Sequence, residues 1–241
     1  MSADAIVGAA SSRVSGKRQE MPVRLGLAST LPGLAVRWLG RIDFANALAL
    51  QEDIVAAKRH DPSAADQMLL LEHDPVYTIG RTPDQSSLLG AGHLPHPLFP
   101  INRGGQATYH GPGQLVGYPI IDLRRHGQDL HRYLRWLEGL IIELLSGHQI
   151  QASRREGLTG VWVENRKIAS IGVGVRHWIT MHGFALNVGG DLSPFAHIVP
   201  CGISNVTITS MEKERGQLFS LIDVARDFET LVRHRIPDLR A

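Results

Sequence analysis

A single cysteine, Cys201, occurs in 241 residues. It has no partner for an internal disulfide and belongs to no Cys-x-x-Cys pair, which points away from secreted disulfide scaffolds and structural zinc. A reducing compartment fits, and the cytoplasm is the expected location. Lysine is also scarce: of 25 basic side chains, 21 are arginine and four are lysine, namely Lys17, Lys58, Lys167 and Lys213. Where charge alone is wanted the chain uses arginine, so a lysine can mark a place that needs an amine able to lose its proton. Long apolar runs are missing. The stretch "LEGLIIELL" is interrupted by acids and falls short of the roughly 20 residues of a membrane span, so no membrane partner is expected. Charge blocks are missing too, with a formal net charge of +2 spread along the chain, and no nucleic-acid partner is expected. The start, "MSADAIVGAASSRVSGKRQEMPV", lacks the apolar centre of a secretory signal, and Asp4 and Glu20 weaken its reading as a transit peptide.

The remaining composition, 43% hydrophobic and 20% charged, is that of an ordinary globular protein. Residues 1–34 show no periodicity and read as a flexible extension, with one domain over residues 35–241. "DFANALALQEDIVAAKRH" reads as an amphipathic helix with Asp43 as N-cap. "DQMLLLEHDPVYTIG" gives a buried strand at 68–72, stopped by Asp74-Pro75, and an extended piece at 76–79, followed by a proline-rich loop. "GQLVGYPIIDL" is β-like. A long helix begins at Asp129 with an apolar stripe through Leu134, Leu137, Leu140, Ile141 and Leu144, which must pack on a sheet. Three alternating segments from Gly160 to Val188, the first two joined at Asn165-Arg166, read as a β-meander, and a helix capped by Ser220 closes the chain. Strands in runs with helices on either side indicate an α+β or mixed α/β domain.

The densest glycine stretch is "RGGQATYHGPGQ", in which Gly104, Gly105, Gly111, Pro112 and Gly113 remove a Cβ or fix φ. Such a loop lets backbone approach a ligand, or simply makes a turn-rich connection; Arg103, Thr108, Tyr109 and His110 favour the ligand. Neither a P-loop nor a dinucleotide fingerprint is present. Cys201 has two readings, a buried packing cysteine or a nucleophile. Pro200 fixes the approach of the chain, Gly202 clears space for a carbonyl, and the N–H groups at 201 and 202 could serve as oxyanion donors. A nucleophilic thiol needs a base or a cation beside it. His110, His182 and His197 are candidates, and Lys167 is the sharper one, being expected at least partly buried at the start of "KIASIGVGV"; the alternative is a solvated hairpin residue. An ammonium about 4 Å from a thiolate at an effective dielectric near 20 contributes on the order of 4 kcal/mol, enough to make the thiolate dominant at neutral pH. His93 with His96, and His177 with His182, lack a third ligand at metal spacing, so no metal is expected.

Four blocks, "RGGQATYHGPGQLVGYPIIDL", "GVWVENRKIASIG", "HGFALN" and "VPCGI", resemble in order and spacing the lipoyl(octanoyl) transferase family, over a stretch from about residue 36 to the end. The resemblance implies the catalytic-domain fold shared with lipoate and biotin protein ligases, a mixed β-sheet packed by helices. It implies an octanoyl transfer from acyl carrier protein to the lysine of apo lipoyl domains and of glycine cleavage H protein, without cofactor, metal or ATP. By the same resemblance Cys201 is the acyl-accepting nucleophile and Lys167 the residue that lowers its pKa and serves as acid and base. Substrate binding falls to Arg103, Gly104, Gly105, Gln106, Ala107, Thr108, Tyr109 and His110, to Ser170, Ile171 and Gly172, and to Gly183, Phe184 and Ala185. An ATP-dependent ligase, a carrier-binding module without chemistry, and a cysteine amidotransferase working between lipoyl domains are the rival readings. Arg124, Arg125, Arg154 and Arg155 are either a docking rim for an acidic carrier or scattered solvated charges.

Overall fold

Apolar side chains on both faces of the central strands dictate the layering. The computed structural model describes residues 30–31, 34–81, 87–89, 94–199 and 206–239. In chain order its main elements are β1 (Thr30–Leu31), β2 (Leu34–Ile42), α1 (Phe44–His60), β3 (Asp66–His73), β4 (Val76–Ile79), β5 (Leu98–Pro100), β6 (Thr108–His110), β7 (Gln114–Ile120) and α2 (Leu130–Gly147). There follow β8 (Ser153–Arg155), β9 (Leu158–Val163), β10 (Arg166–Arg176), β11 (Ile179–Asn187), β12 (Thr207–Ile208), α3 (Met211–Arg215) and α4 (Leu221–Arg235). Among the described residues a nine-stranded sheet runs β1-β2-β3-β7-β11-β10-β9-β8, with β12 alongside β10, and a three-stranded sheet runs β5-β4-β6. The pairing is mixed, with β2 parallel to β3, β12 parallel to β10 and the other neighbours in the large sheet antiparallel.

Successive strand residues point to opposite faces, so the run "MLLL" feeds two cores. Met68 and Leu70 join Leu115, Leu137, Ile141 and Phe228 under α2 and α4, while Leu69 and Leu71 join Val116, Ile120, Ala47 and Val55 under α1. A third cluster, with Tyr77, Ile79, Tyr109 and Phe195, packs the small sheet. The side chains of Asp43 and Asp129 accept the N–H groups of Asn46 and Arg132, the capping bonds their positions predict. Ser220 stands at the N-cap of α4 but makes no side-chain capping bond. The first meander turn falls at Glu164-Asn165 rather than one residue later, because Arg166 already pairs with Val163.

One lysine is spent on architecture. Lys58, 2% exposed, gives its Nζ to the carbonyls of Ala64 and Ala65 at 2.9 and 3.2 Å and to Oδ1 of Asp66 at 2.9 Å. Asp66 also takes Arg125 at 2.6 Å, His126 at 3.2 Å and the N–H of Asp122 at 2.9 Å. Burial opposes its charge, yet hydrogen bonds from His126, Lys58 and the Asp122 N–H hold its carboxyl below the usual range. The cluster ties the end of α1 to the start of β3 and to the turn after β7. Lys58→Met, which leaves the buried carboxylate short of a cation, is expected to cost about 3–5 kcal/mol in urea unfolding; a loss under about 1 kcal/mol would contradict this role.

Candidate active site

Three of the four blocks, distant in sequence, converge on one pocket. It encloses about 480 Å³ of empty space, counting the open solvent at its mouth. The lining takes Arg103, Gly105, Gln106, Ala107, Thr108 and His110 from the segment through β6, Ser170, Ile171 and Gly172 from β10, and Gly183, Phe184 and Ala185 from β11. Gly104 and Tyr109 are not in the lining. The Gly104 N–H donates to the Val173 carbonyl at 3.0 Å, tying the loop to β10, and the Tyr109 ring packs against Tyr77 and Phe195 in the third core. Phe44, Ile101, Tyr118 and His182 complete the wall. Among these, His182 is already a candidate base from the sequence, and Tyr118 carries a sequence signal as a phenol within the mostly apolar β7. Phe44 carries none, since it reads as the first core residue of α1.

Arg103 organises the lip. It is buried, and its Nη1 donates to the carbonyls of Gly104 and Gln106 at 3.0 and 2.9 Å, its Nη2 to the carbonyl and Oγ1 of Thr78 at 3.1 and 3.0 Å. Its stem crosses β10 where there is no side chain: a Cβ on Gly172 would lie 2.7 Å from Cδ of Arg103.

Two buried imidazoles, His110 and His182, line the pocket, and a third, His73, stands behind the lining residue Tyr118. The Ile42 carbonyl can only accept, so Nδ1 of His73 is the protonated nitrogen at 2.8 Å, and its Nε2 accepts from the Tyr118 hydroxyl at 2.7 Å. Nδ1 of His110 donates to Oε1 of Gln114 at 2.8 Å, while Nε2 of Gln114 is held by the Tyr109 carbonyl and Oδ1 of Asn187. His182 differs. It sits in β11 with φ of +56°, a conformation uncommon for a residue with a Cβ. Its N–H leaves for Oε1 of the buried Gln51 in α1 at 2.8 Å, and its buried Nδ1 has no hydrogen-bond partner.

Burial pushes all three imidazoles below their usual range, His110 to about 3, with help from His73 and Arg103, and His182 to about 4, with help from Arg103. They are neutral in the folded protein at pH 7. Of the histidines considered as bases, His110 has both ring nitrogens occupied, His182 lines the pocket, and His197 is exposed at the end of a short 3-10 helix, outside the lining. His177 lies in an exposed turn and His96 stacks on Tyr77, while His93 lies outside the described residues. No group of three or more metal-ligating side chains exists among the described residues.

Lys167 is 1% exposed, which removes the solvated-hairpin alternative. It faces Trp162 across β9 and β10, with Nζ 5.4 Å from the ring centroid, and it pairs with Ile208 of β12 on its other side. Cys201, Pro200 and Gly202 lie outside the described residues. The four arginines considered for a docking rim are engaged within the chain: Arg124 with Asp122, Arg125 with Asp66, Arg154 with Glu138, and Arg155 with Trp162 and Asn165. Their charges are largely answered locally.

Residues 43–232 match the lipoyl protein ligase A/B catalytic domain. An octanoyltransferase of Geotalea uraniireducens is 52% identical over 186 residues, covering 77% of this chain and 85% of that protein. The octanoyltransferase of Geobacter metallireducens is 49% identical over 210 residues, covering 86% of this chain and 97% of the relative. The chain belongs to the lipoyl(octanoyl) transferase family. Membership makes it an acyltransferase that handles octanoyl groups. Solved structures give the same fold: a bi-partite lipoate protein ligase of Thermoplasma acidophilum superposes with a TM-score of 0.67 at 15% identity, covering 86% of this chain and 84% of the other. Lipoate-protein ligase A bound with ATP gives 0.60 at 12% identity, with 86% of each chain covered. The expected mixed sheet packed by helices is therefore the observed one. Among the described residues no helix is long and apolar enough to cross a membrane.

The neutral imidazoles of this transferase set a pH dependence. In the unfolded chain His110 and His182 take up protons near pH 6.5; in the folded one they resist until about 3 and 4. Their contribution to stability is complete above 6.5 and is lost as pH falls through that value, on the order of 1 kcal/mol per pH unit for each group. The lowered carboxyls of Asp66 and Asp122 have ordinary values of 3.8 and act only at lower pH. Urea unfolding between pH 6.5 and 5 should therefore show stability falling with acidity, and a flat profile would count against neutral burial of these rings.

Proposed function

We propose that this transferase moves octanoyl from the thioester of an acyl carrier protein to the lysine amine of an apo lipoyl domain, glycine cleavage H protein included, through a thioester on Cys201. The Cys201 thiolate attacks the donor carbonyl. The tetrahedral adduct expels the pantetheine sulfur, which takes a proton from the Lys167 ammonium. The Lys167 amine then removes a proton from the attacking lysine of the acceptor. Collapse of the second adduct forms the amide, releases the Cys201 sulfur and restores the starting protonation. ATP takes no part, because the acyl group arrives activated.

The observation that carries this reading is the convergence of the three blocks on one largely apolar pocket in a chain 52% identical to an octanoyltransferase. Phe184, Ile171 and Ala107 suit an alkyl chain, and the N–H groups of the glycine-rich loop suit its carbonyl. Burial of Lys167 supports a chemical role for its amine, and β12, which follows the cysteine segment in the chain, pairs directly with it.

Mass spectrometry after mixing with octanoyl carrier protein should show an octanoyl adduct that Cys201→Ser lacks; an adduct elsewhere rejects the nucleophile. Lys167→Arg keeps charge but cannot exchange a proton at neutral pH, so kcat for transfer to an apo lipoyl domain without ATP should fall on the order of 100-fold or more. Full activity of that variant removes the acid and base role, and a strict need for ATP removes the whole reading in favour of a ligase.

A further inference from the structure

Behind Lys167 lies a place where no side chain fits. Gly160 of β9 has φ of +132°, and a Cβ there would lie 2.8 Å from the Ala169 carbonyl oxygen, 2.9 Å from Cε of Lys167 and 3.4 Å from its Nζ. The register of β9 against β10 slips at this point: Lys167 faces Trp162, yet Ala169 faces Val161, so the two strands advance unequally. Such irregularities re-aim side chains and persist only where something holds them. Here the N–H of Gly160 donates to Oε1 of Glu138, on α2, at 3.1 Å.

Glu138 is fully buried and itself braced. Its Oε2 accepts from Nη1 of Arg135 at 2.7 Å and Nε of Arg154 at 3.1 Å, and Nη2 of Arg154 holds the Arg135 carbonyl at 2.8 Å. A buried carboxylate with two guanidiniums has little freedom to move, because leaving either unpaired is costly. The chain of contacts runs from α2 through Glu138 to Gly160 and on to the amine end of Lys167, whose Nζ also lies 5.4 Å from the Trp162 ring centroid.

We infer that Glu138 and Gly160 are positioning residues for Lys167: the carboxylate pins the irregular strand by its N–H, and the missing Cβ leaves the space that the ammonium end occupies. The inference rests on the proposed pairing of Lys167 with the Cys201 thiolate. An added methyl at Gly160 has one cheap relief, a shift of the lysine side chain, since the other atom in its way is backbone. The amine then moves, whereas the apolar pocket that holds the acyl chain does not.

The chain has one cysteine, so thiolate absorbance near 240 nm, followed against pH below tyrosine ionisation, reads Cys201 alone. Lys167→Ala is measured first and should raise the titration midpoint toward the ordinary thiol value near 8.5; an unchanged midpoint overturns the Lys167–Cys201 pairing itself. Given that rise, Gly160→Ala should move the midpoint in the same direction and lower kcat on the order of 100-fold, with KM for the acyl donor held within about twofold. Glu138→Gln should act in the same sense and carries the test where Gly160→Ala does not fold. A folded variant of either residue with parent midpoint and parent kcat, beside a shifted Lys167→Ala, overturns the positioning role and leaves the proposed chemistry standing.

Discussion

The interaction on which the site depends is the burial of the Arg103 guanidinium. A cation withdrawn from water must collect acceptors, and this one collects the carbonyls of Gly104, Gln106 and Thr78 together with a hydroxyl. Those acceptors come from the glycine-rich loop and from β4, so meeting the need of one side chain shapes the pocket lip. The same charge adds to burial in keeping His110 and His182 neutral. An apolar pocket with neutral rings along one side can admit an alkyl chain without stranding a second charge.

Much of this was readable from residue patterns. Three long helices follow from apolar spacing, and the Asp43 and Asp129 caps from their position before it. The pocket block from Arg103 to Gln114 stands out by its glycines and proline, whereas 170–172 and 183–185 follow only from the family resemblance. What escaped was set by partners rather than by local pattern. Leu98–Pro100, Ser153–Arg155 and Thr207–Ile208 are strands of two or three residues that exist because a neighbour pairs with them. Rarity of lysine drew attention to Lys167, yet Lys58 is just as buried and is bound to Asp66. Scarcity marked two amines, and only their surroundings tell them apart. The positive φ of His182 was equally invisible, since its N–H is taken by Gln51 from a distant helix. Charge counting also misses local pairing: of the four arginines considered for a docking rim, Arg124, Arg125 and Arg154 face acids nearby in space.

Fold and chemistry separate cleanly in this family. A ligase that holds ATP shares the architecture at 12% identity, so the sheet alone does not say how an acyl group is activated. On the proposed route few groups carry the transfer: an apolar pocket, backbone donors, one buried amine and one sulfur. Strands supply the amine and two of the pocket walls, and a loop fastened by its own arginine supplies a third wall and the backbone donors.

Strand β8 closes one margin of the large sheet and is three residues long, with Arg154 and Arg155 as two of them. A margin so brief offers few open amides to a visiting chain, and a second copy approaching in register would set guanidinium against guanidinium. The same two arginines that brace Glu138 and cover Trp162 therefore also discourage fibrous stacking through that side.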